Sequence, residues 1–322
     1  MALVTGGAGF IGSHLCEALL ARGRRVVALD DLSTGRVDNL RAVERHPGFR
    51  LIVGDCRDAA LVERFLPDAA EVYHLAAAVG VRRIIDAPVE TIERNLDSAQ
   101  TMLRLAARWR TRFLLTSTSE VYGASERAVF REDDDLLIGE PTRRRWSYAA
   151  TKLLDEFLAL AHYHASGLPV TIARLFNTIG PRQVGRYGMV VPTFARQALA
   201  GRPLTVHGDG HQRRCFTHVR DVVTCLADLA ERPETAGRVF NIGGDVEITM
   251  LDLARKIVAL CGSASEIVFQ SYREAYGTDF NDMERRRPCV ERLRAALGRA
   301  PATPLEVALA DVVAYCRTEE KT

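Results

Sequence analysis

Lysine is nearly absent from this 322-residue chain: of 43 basic residues only Lys152, Lys256 and Lys321 are lysines. So marked a preference reads as compositional bias, and no arginine counts as functional without an argument of its own. A dominant charge of one sign is missing too. The 43 basic and 41 acidic residues leave a net charge of +2, which excludes strong attraction to a polyanion, and no nucleic-acid partner is expected. No apolar run approaches the roughly 18 residues of a membrane-spanning helix. A glycine-rich turn begins at Gly6, where a cleaved signal would need its apolar stretch, so neither membrane nor export is expected and the location is read as cytoplasmic. The seven cysteines (16, 56, 215, 225, 261, 289, 316) form no C-x-x-C; this excludes a disulfide framework and fits reduced thiols. His162/His164 and His207/His211 lack cysteine or carboxylate partners at metal-ligand spacing. They read as structural, with no metal. There is no internal repeat and no low-complexity tract.

What is present is a 47% hydrophobic chain, long enough to bury a large core and to form one enzyme of two lobes. Short apolar strands are expected at Met1–Thr5, Arg25–Asp30, Arg50–Val53, Glu71–Leu75, Arg112–Thr116 and Val170–Arg174. Helical patterns separate them, at about Ile11–Ala21, Asn95–Trp109 and Ser147–Tyr163. Alternating strand and helix predict an α/β fold, a doubly wound parallel Rossmann sheet. After Asn177 glycine, proline and arginine crowd the chain, and Arg238–Ile242 reads as a strand returning to the sheet. The smaller C-terminal substrate-binding lobe is therefore discontinuous. Residues 1–177, with about 217–245, form the nucleotide-binding domain; about 178–216 and 246–322 form the other lobe.

Gly6, Gly9 and Gly12 stand between the first strand and helix, with Phe10 and Ile11 between the last two. The first glycine permits a tight turn, the second lets a diphosphate approach the backbone, and the third allows close helix packing. The helix amino terminus then faces the negative charge. A glycine triplet alone also describes an ordinary turn. Here Asp30 follows at the end of the second strand, about 20 residues on, where an acid binds the adenosine ribose. Its charge would repel a 2′-phosphate, so the expected cofactor is NAD rather than NADP. Asp55 faces the adenine or is a solvated loop acid, and Leu75, Ala76 and Ala77 supply small residues where the backbone passes the dinucleotide.

The chemistry is concentrated in Thr116–Gly123 and Tyr148–Lys152. A tyrosine and a lysine four residues apart share a helix face. The ammonium is expected to lower the phenol's pKa, so that the tyrosinate takes a proton from a sugar hydroxyl. Thr118, Ser119 and Glu120 follow the apolar strand Phe113–Leu115, where α/β sheets place their chemistry; Glu120 would alternatively cap a helix or pair locally. Arg143, Arg144 and Arg145 read as surface or loop residues, and the run 285–287 by itself as a solvated face.

Taken together, the glycine spacing, the Tyr148/Lys152 pair and the strand order resemble the extended short-chain dehydrogenase/reductase superfamily over essentially the whole chain. Within it the likeness is to UDP-glucuronic acid decarboxylases, the UDP-xylose synthases among them. It is carried by Ser117–Gly123, Ala173–Arg182, Arg213–Thr217, Ala275–Gly277 and Asp282–Pro288. In that group many 4,6-dehydratases have an Asp-Glu pair, whose aspartate protonates the departing C6 hydroxyl, and Ser119 stands in its place here. GDP-mannose dehydratases share the Thr-Ser-Glu triplet, and the arginine before Pro288 tips the likeness toward the decarboxylases. The resemblance implies Thr118, Ser119, Glu120, Tyr148, Lys152 and Arg286 as catalytic residues, with Arg285 or Arg287 if the register slips. It also implies Asn177, Arg186, Arg214 and Arg286 on a UDP-sugar substrate, and a homodimer through a four-helix interface. The expected reaction is decarboxylation of UDP-glucuronate through a 4-ketone to UDP-xylose or the UDP-4-keto-pentose. A nucleotide-sugar 4-epimerase or a 4,6-dehydratase is the alternative.

Overall fold

The computed structural model describes residues 1–79, 86–185, 189–276 and 283–319. Strands β1 (Ala2–Thr5), β2 (Val26–Asp30), β3 (Phe49–Val53), β4 (Glu71–His74), β5 (Arg112–Thr118) and β6 (Val170–Leu175) form a sheet with β11 (Arg238–Ile242). Its spatial order is β11-β6-β5-β4-β1-β2-β3, and each neighbouring pair is parallel. Parallel strands bury both faces: β1, β2 and β4 are buried at every residue, which is why they read as short apolar runs.

Helices α1 (Phe10–Ala21), α2 (Ala59–Glu63), α3 (Pro88–Trp109), α4 (Trp146–Ser166) and α6 (Val219–Glu231) belong to this lobe. One face of the sheet packs Leu15 and Leu19 of α1 with Val222 and Leu226 of α6. The other packs Met102 and Leu103 of α3 with Ala159 of α4. Helix α3 starts earlier than its apolar pattern because Pro88 occupies the first turn, where its missing N–H costs nothing. Helix α4 stops at Gly167, whose φ of +69° is the left-handed value that closes a helix.

Strands β7 (Thr178–Ile179), β8 (Leu204–His207), β9 (Arg213–Cys215), β10 (Thr217–His218), β12 (Glu247–Thr249), β13 (Ile267–Gln270) and β14 (Arg285–Arg286) are short. A second core gathers Phe194 of α5 (Val190–Leu199), Leu253 of α7 (Met250–Cys261) and Leu309 of α10 (Leu305–Glu319). Helix α8 (Tyr272–Tyr276) follows β13 in the chain, while Leu293 and Leu297 of α9 (Glu291–Leu297) join the core of the large sheet. In the small sheet β12-β9-β14, β14 pairs with β9, placing Arg286 opposite Arg214.

Candidate active site

Thr5, Asp30, His74 and Thr118 end neighbouring strands at one edge of the sheet. The strand order reverses between β1 and β4, and a crevice opens at such a point. A cavity of about 750 Å³ lies there, lined from the glycine turn through to the second lobe.

Gly6 has φ +69°, and a Cβ on it would lie 2.9 Å from the Ala76 nitrogen. A Cβ on Gly12 would lie 2.0 Å from the Gly6 carbonyl oxygen, so neither position admits a side chain without backbone movement. Gly9 caps α1 in an extended conformation with no side-chain hydrogen bond, leaving the first-turn N–H groups for an anion. Phe10, Ile11, Leu75, Ala76 and Ala77 line the same wall. Asp30 is buried and accepts from the Ala8 N–H (2.9 Å) and the Leu32 N–H (2.8 Å), so it also holds the glycine turn in shape. Asp55 lines the cavity and is gripped by Arg57 at 2.6 Å. The hydrogen bond from Arg57 holds its carboxyl below the usual range. A glycine cradle, an uncapped helix and an acid at the second strand's end together fit a dinucleotide.

At the other end, Thr118 caps the 3-10 turn Ser119–Tyr122, its hydroxyl oxygen accepting from the Glu120 N–H at 3.2 Å. That leaves the hydroxyl proton available to donate. Glu120 lies between two arginines: Arg286 at 2.6 Å and Arg145 at 3.4 Å. Both arginines are buried. Arg145 is thus not the surface residue expected from its neighbours; Arg143 and Arg144 are exposed. The signal was its place three residues before Tyr148, which puts both on one helix face. Arg286 comes from β14, so the Glu120 cluster joins the turn after β5 to a strand far along the chain.

Tyr148 and Lys152 line the cavity from α4, but the expected coupling between them differs. The Lys152 ammonium donates to Asp155 at 2.9 Å, with both side chains almost fully buried. The Tyr148 phenol is pushed above its ordinary value by burial first, then by the charges of Glu120 and Asp155. Asp155 was missed because a lone acid on a helix reads as solvated.

Asn177 donates to the Cys215 carbonyl at 2.8 Å while facing the cavity. Arg214 lines it as well, but its guanidinium donates to the carbonyls of Met283 (2.7 Å) and Glu284 (3.2 Å). It therefore anchors the segment that carries Arg286. Arg186 lies outside the described residues. The chain after Ile179 adds Gln197, Thr205, His207, Gln212, Gln270 and Tyr272 to the lining, residues without a sequence motif that would single them out. Among the described residues no cluster of His, Cys, Asp or Glu is arranged to hold a metal, and no helix is long and apolar enough to cross a membrane.

The NAD dependent epimerase/dehydratase family matches residues 2–243. The chain belongs to that family. It is 38% identical over 320 residues to a UDP-N-acetyl-alpha-D-glucosaminuronate decarboxylase of Bacillus cytotoxicus, covering 99% of this chain and 98% of that one. It is 36% identical to UDP-glucuronic acid decarboxylase 1 of Xenopus tropicalis, covering 98% of this chain and 72% of the relative. A dTDP-glucose 4,6-dehydratase of Streptomyces venezuelae, solved with NAD bound, superposes with a TM-score of 0.89 at 31% identity, covering 99% and 98% of the two chains. Members of the epimerase/dehydratase family are NAD-dependent enzymes with this fold, which is the parallel architecture and cofactor that the sequence predicted.

Proposed function

We propose that the protein is a UDP-glucuronate decarboxylase, giving UDP-xylose, the UDP-4-keto-pentose, or both. The observation that carries this reading is the Arg145–Glu120–Arg286 cluster, both arginines buried, in the cavity that Tyr148 lines. Two guanidiniums around one carboxylate leave one formal positive charge, suited to a second, incoming carboxylate. The absence of an acid at Ser119 argues against elimination of a C6 hydroxyl, as in a dehydratase.

NAD, when bound along Gly6–Gly12 and Asp30, supplies the hydride acceptor and donor at C4 of the sugar. Tyr148 takes the proton of the C4 hydroxyl, and Thr118 donates a hydrogen bond to the same oxygen. The C4 ketone makes the C6 carboxylate that of a β-keto acid, so its C5–C6 bond breaks and carbon dioxide leaves. The electron pair enters the C4–C5 enolate, whose oxygen accepts from the Tyr148 O–H. Arg286 and Arg145 orient the carboxylate, and Ser119 with Glu120 manages the proton returned to C5. Lys152 holds the tyrosine side of the site, and Asn177 and Arg214 face the diphosphate, with Arg186 as a further contact. Two protomers associate through α3 and α4, where Val89, Leu154 and Phe157 expose apolar side chains.

The relative that acts on a UDP-N-acetylglucosaminuronate supports a second reading, in which the substrate carries an acetamido group at C2. Mass spectrometry of products from UDP-glucuronate, UDP-N-acetylglucosaminuronate and UDP-glucose tests both. Carbon dioxide released from the first sugar supports the proposal, and release from the second alone moves the assignment to the acetamido sugar. C4 epimers formed without carbon dioxide would make the protein an epimerase.

A further inference from the structure

The carboxylate of Asp155 has no part in the reaction as drawn, yet it is one of the most enclosed charges in the protein. It is 1% exposed, and its Oδ2 holds the Lys152 ammonium at 2.9 Å. Its other oxygen, Oδ1, is buried with no hydrogen-bond partner among the described residues. A single ion pair therefore carries the whole charge, with nothing else to disperse it. Positions 148, 152 and 155 are spaced four and then three apart, so all lie on one face of α4.

We propose that Asp155 is a positioning residue: it fixes the Lys152 ammonium on the face of α4 that carries Tyr148 and sets the pH range in which the Tyr148 hydroxyl can serve as base. This rests on Tyr148 being the base of the proposed reaction. A lone buried ammonium would act on the phenol as a full positive charge, whereas the Lys152–Asp155 pair is neutral and acts as a dipole. The other groups facing this pair do not replace it. Glu120, from the turn after β5, also opposes ionisation of Tyr148, but Arg145 and Arg286 already pair with it. His74 of β4 is kept neutral by burial and by the Lys152 charge. Glu156 adds to the negative side and is paired with Arg174 of β6 at 2.8 Å. The buried face of α3 contributes Thr91, Asn95 and Ser98, none of them charged. Burial raises the Asp155 carboxyl above its ordinary range while Lys152 opposes that shift, as expected where each member depends on the other for its charge.

The test is stopped-flow measurement of NADH formation at 340 nm against pH, with UDP-glucuronate, UDP-N-acetylglucosaminuronate and UDP-glucose. Wild type is compared with Asp155→Asn and Asp155→Glu in the full chain, at equal bound NAD. In Asp155→Asn the acidic limb of the rate profile should move to lower pH by about one unit, the size of a like-charge term across two helical turns at an effective dielectric near 20. Asp155→Glu keeps the charge and should restore the wild-type limb, whatever its rate. An Asn profile that coincides with wild type overturns the proposal, and so does a displaced limb in the Glu variant, which remains decisive if the Asn protein does not fold. If wild type transfers hydride but Tyr148→Phe does so equally well, the base assignment fails, and Asp155 with it. A wild type that transfers no hydride from any of the three sugars removes both readings together.

Discussion

Replacing Arg145 by methionine separates recognition of a carboxylate from recognition of a sugar. In the native cluster Arg145 lies 3.4 Å and Arg286 2.6 Å from Glu120, so the formal charge is one positive; methionine brings it to zero while keeping the unbranched stem. A substrate carboxylate entering about 5 Å from the lost guanidinium forgoes roughly 3 kcal/mol at an effective dielectric of 20. A charge-assisted hydrogen bond of about 1.5–3 kcal/mol gives the same scale. Affinity for UDP-glucuronate should therefore fall roughly 10- to 150-fold, whereas UDP-glucose, which lacks the carboxylate, should bind nearly as before. The fold should persist because Glu120 keeps Arg286. Isothermal titration of both sugars into NAD-loaded protein makes the comparison, and Arg145→Lys, which retains charge without the planar fork, should fall between. Equal loss for the two sugars, or none for either, would refute a carboxylate role for Arg145.

Four further outcomes are expected. Tyr148→Phe should lower turnover roughly 10²- to 10⁴-fold with NAD binding near normal, read by carbon dioxide release and by retained cofactor; activity within a few-fold of wild type would assign the proton to another group. Glu120→Gln and Arg286→Lys should each suppress carbon dioxide release while substrate still binds, and NADH formed on the Arg286 variant should outlast product. Asp30→Ala should narrow the preference for NAD over NADP in cofactor-stripped protein, since the carboxylate that repels a 2′-phosphate is gone. Acid stability should depend on His74, whose pKa burial and the Lys152 charge lower to about 3. Its stabilising contribution is complete above the unfolded value near 6.5 and declines as pH falls toward 3, by roughly 2 kcal/mol at pH 5. His14, lowered to about 4, adds in the same direction, so His74→Asn should flatten the fall in melting temperature between pH 7 and 5 without abolishing it.

The parallel sheet was legible because strands buried on both faces are rich in apolar residues, and Gly6, Gly12 and Asp30 sit where steric room and charge leave few alternatives. Tyr148 and Lys152 could be paired from helical periodicity alone. Their electrostatics could not, because periodicity gives neighbours on a face and not which of them a side chain grips; Lys152 turned to Asp155. Arg145 was hidden by its exposed neighbours Arg143 and Arg144, a run that looks uniformly solvated until the helix start fixes which member points inward. Arg214 and Arg286 were expected from the family resemblance, but their pairing on β9 and β14 joins residues some 70 positions apart with no local pattern to reveal it. The second-lobe lining was the least readable part, since Thr205, Gln212 and Gln270 acquire meaning only from short strands meeting in space.

The ion pair between Glu120 and Arg286 has its two ends in segments that the chain builds separately, one in the turn after β5 of the large sheet and one on β14 of the small sheet β12-β9-β14. Domain recombination among enzymes of this fold is thereby constrained. A chimaera taking its first 180 or so residues from this protein and the remainder from an epimerase would inherit the acid without its distal guanidinium. Glu120 would then face a uronate with Arg145 alone, a cluster of no net charge where the parent offers one positive charge. New substrate ranges in such grafts should arise only when both ends travel together.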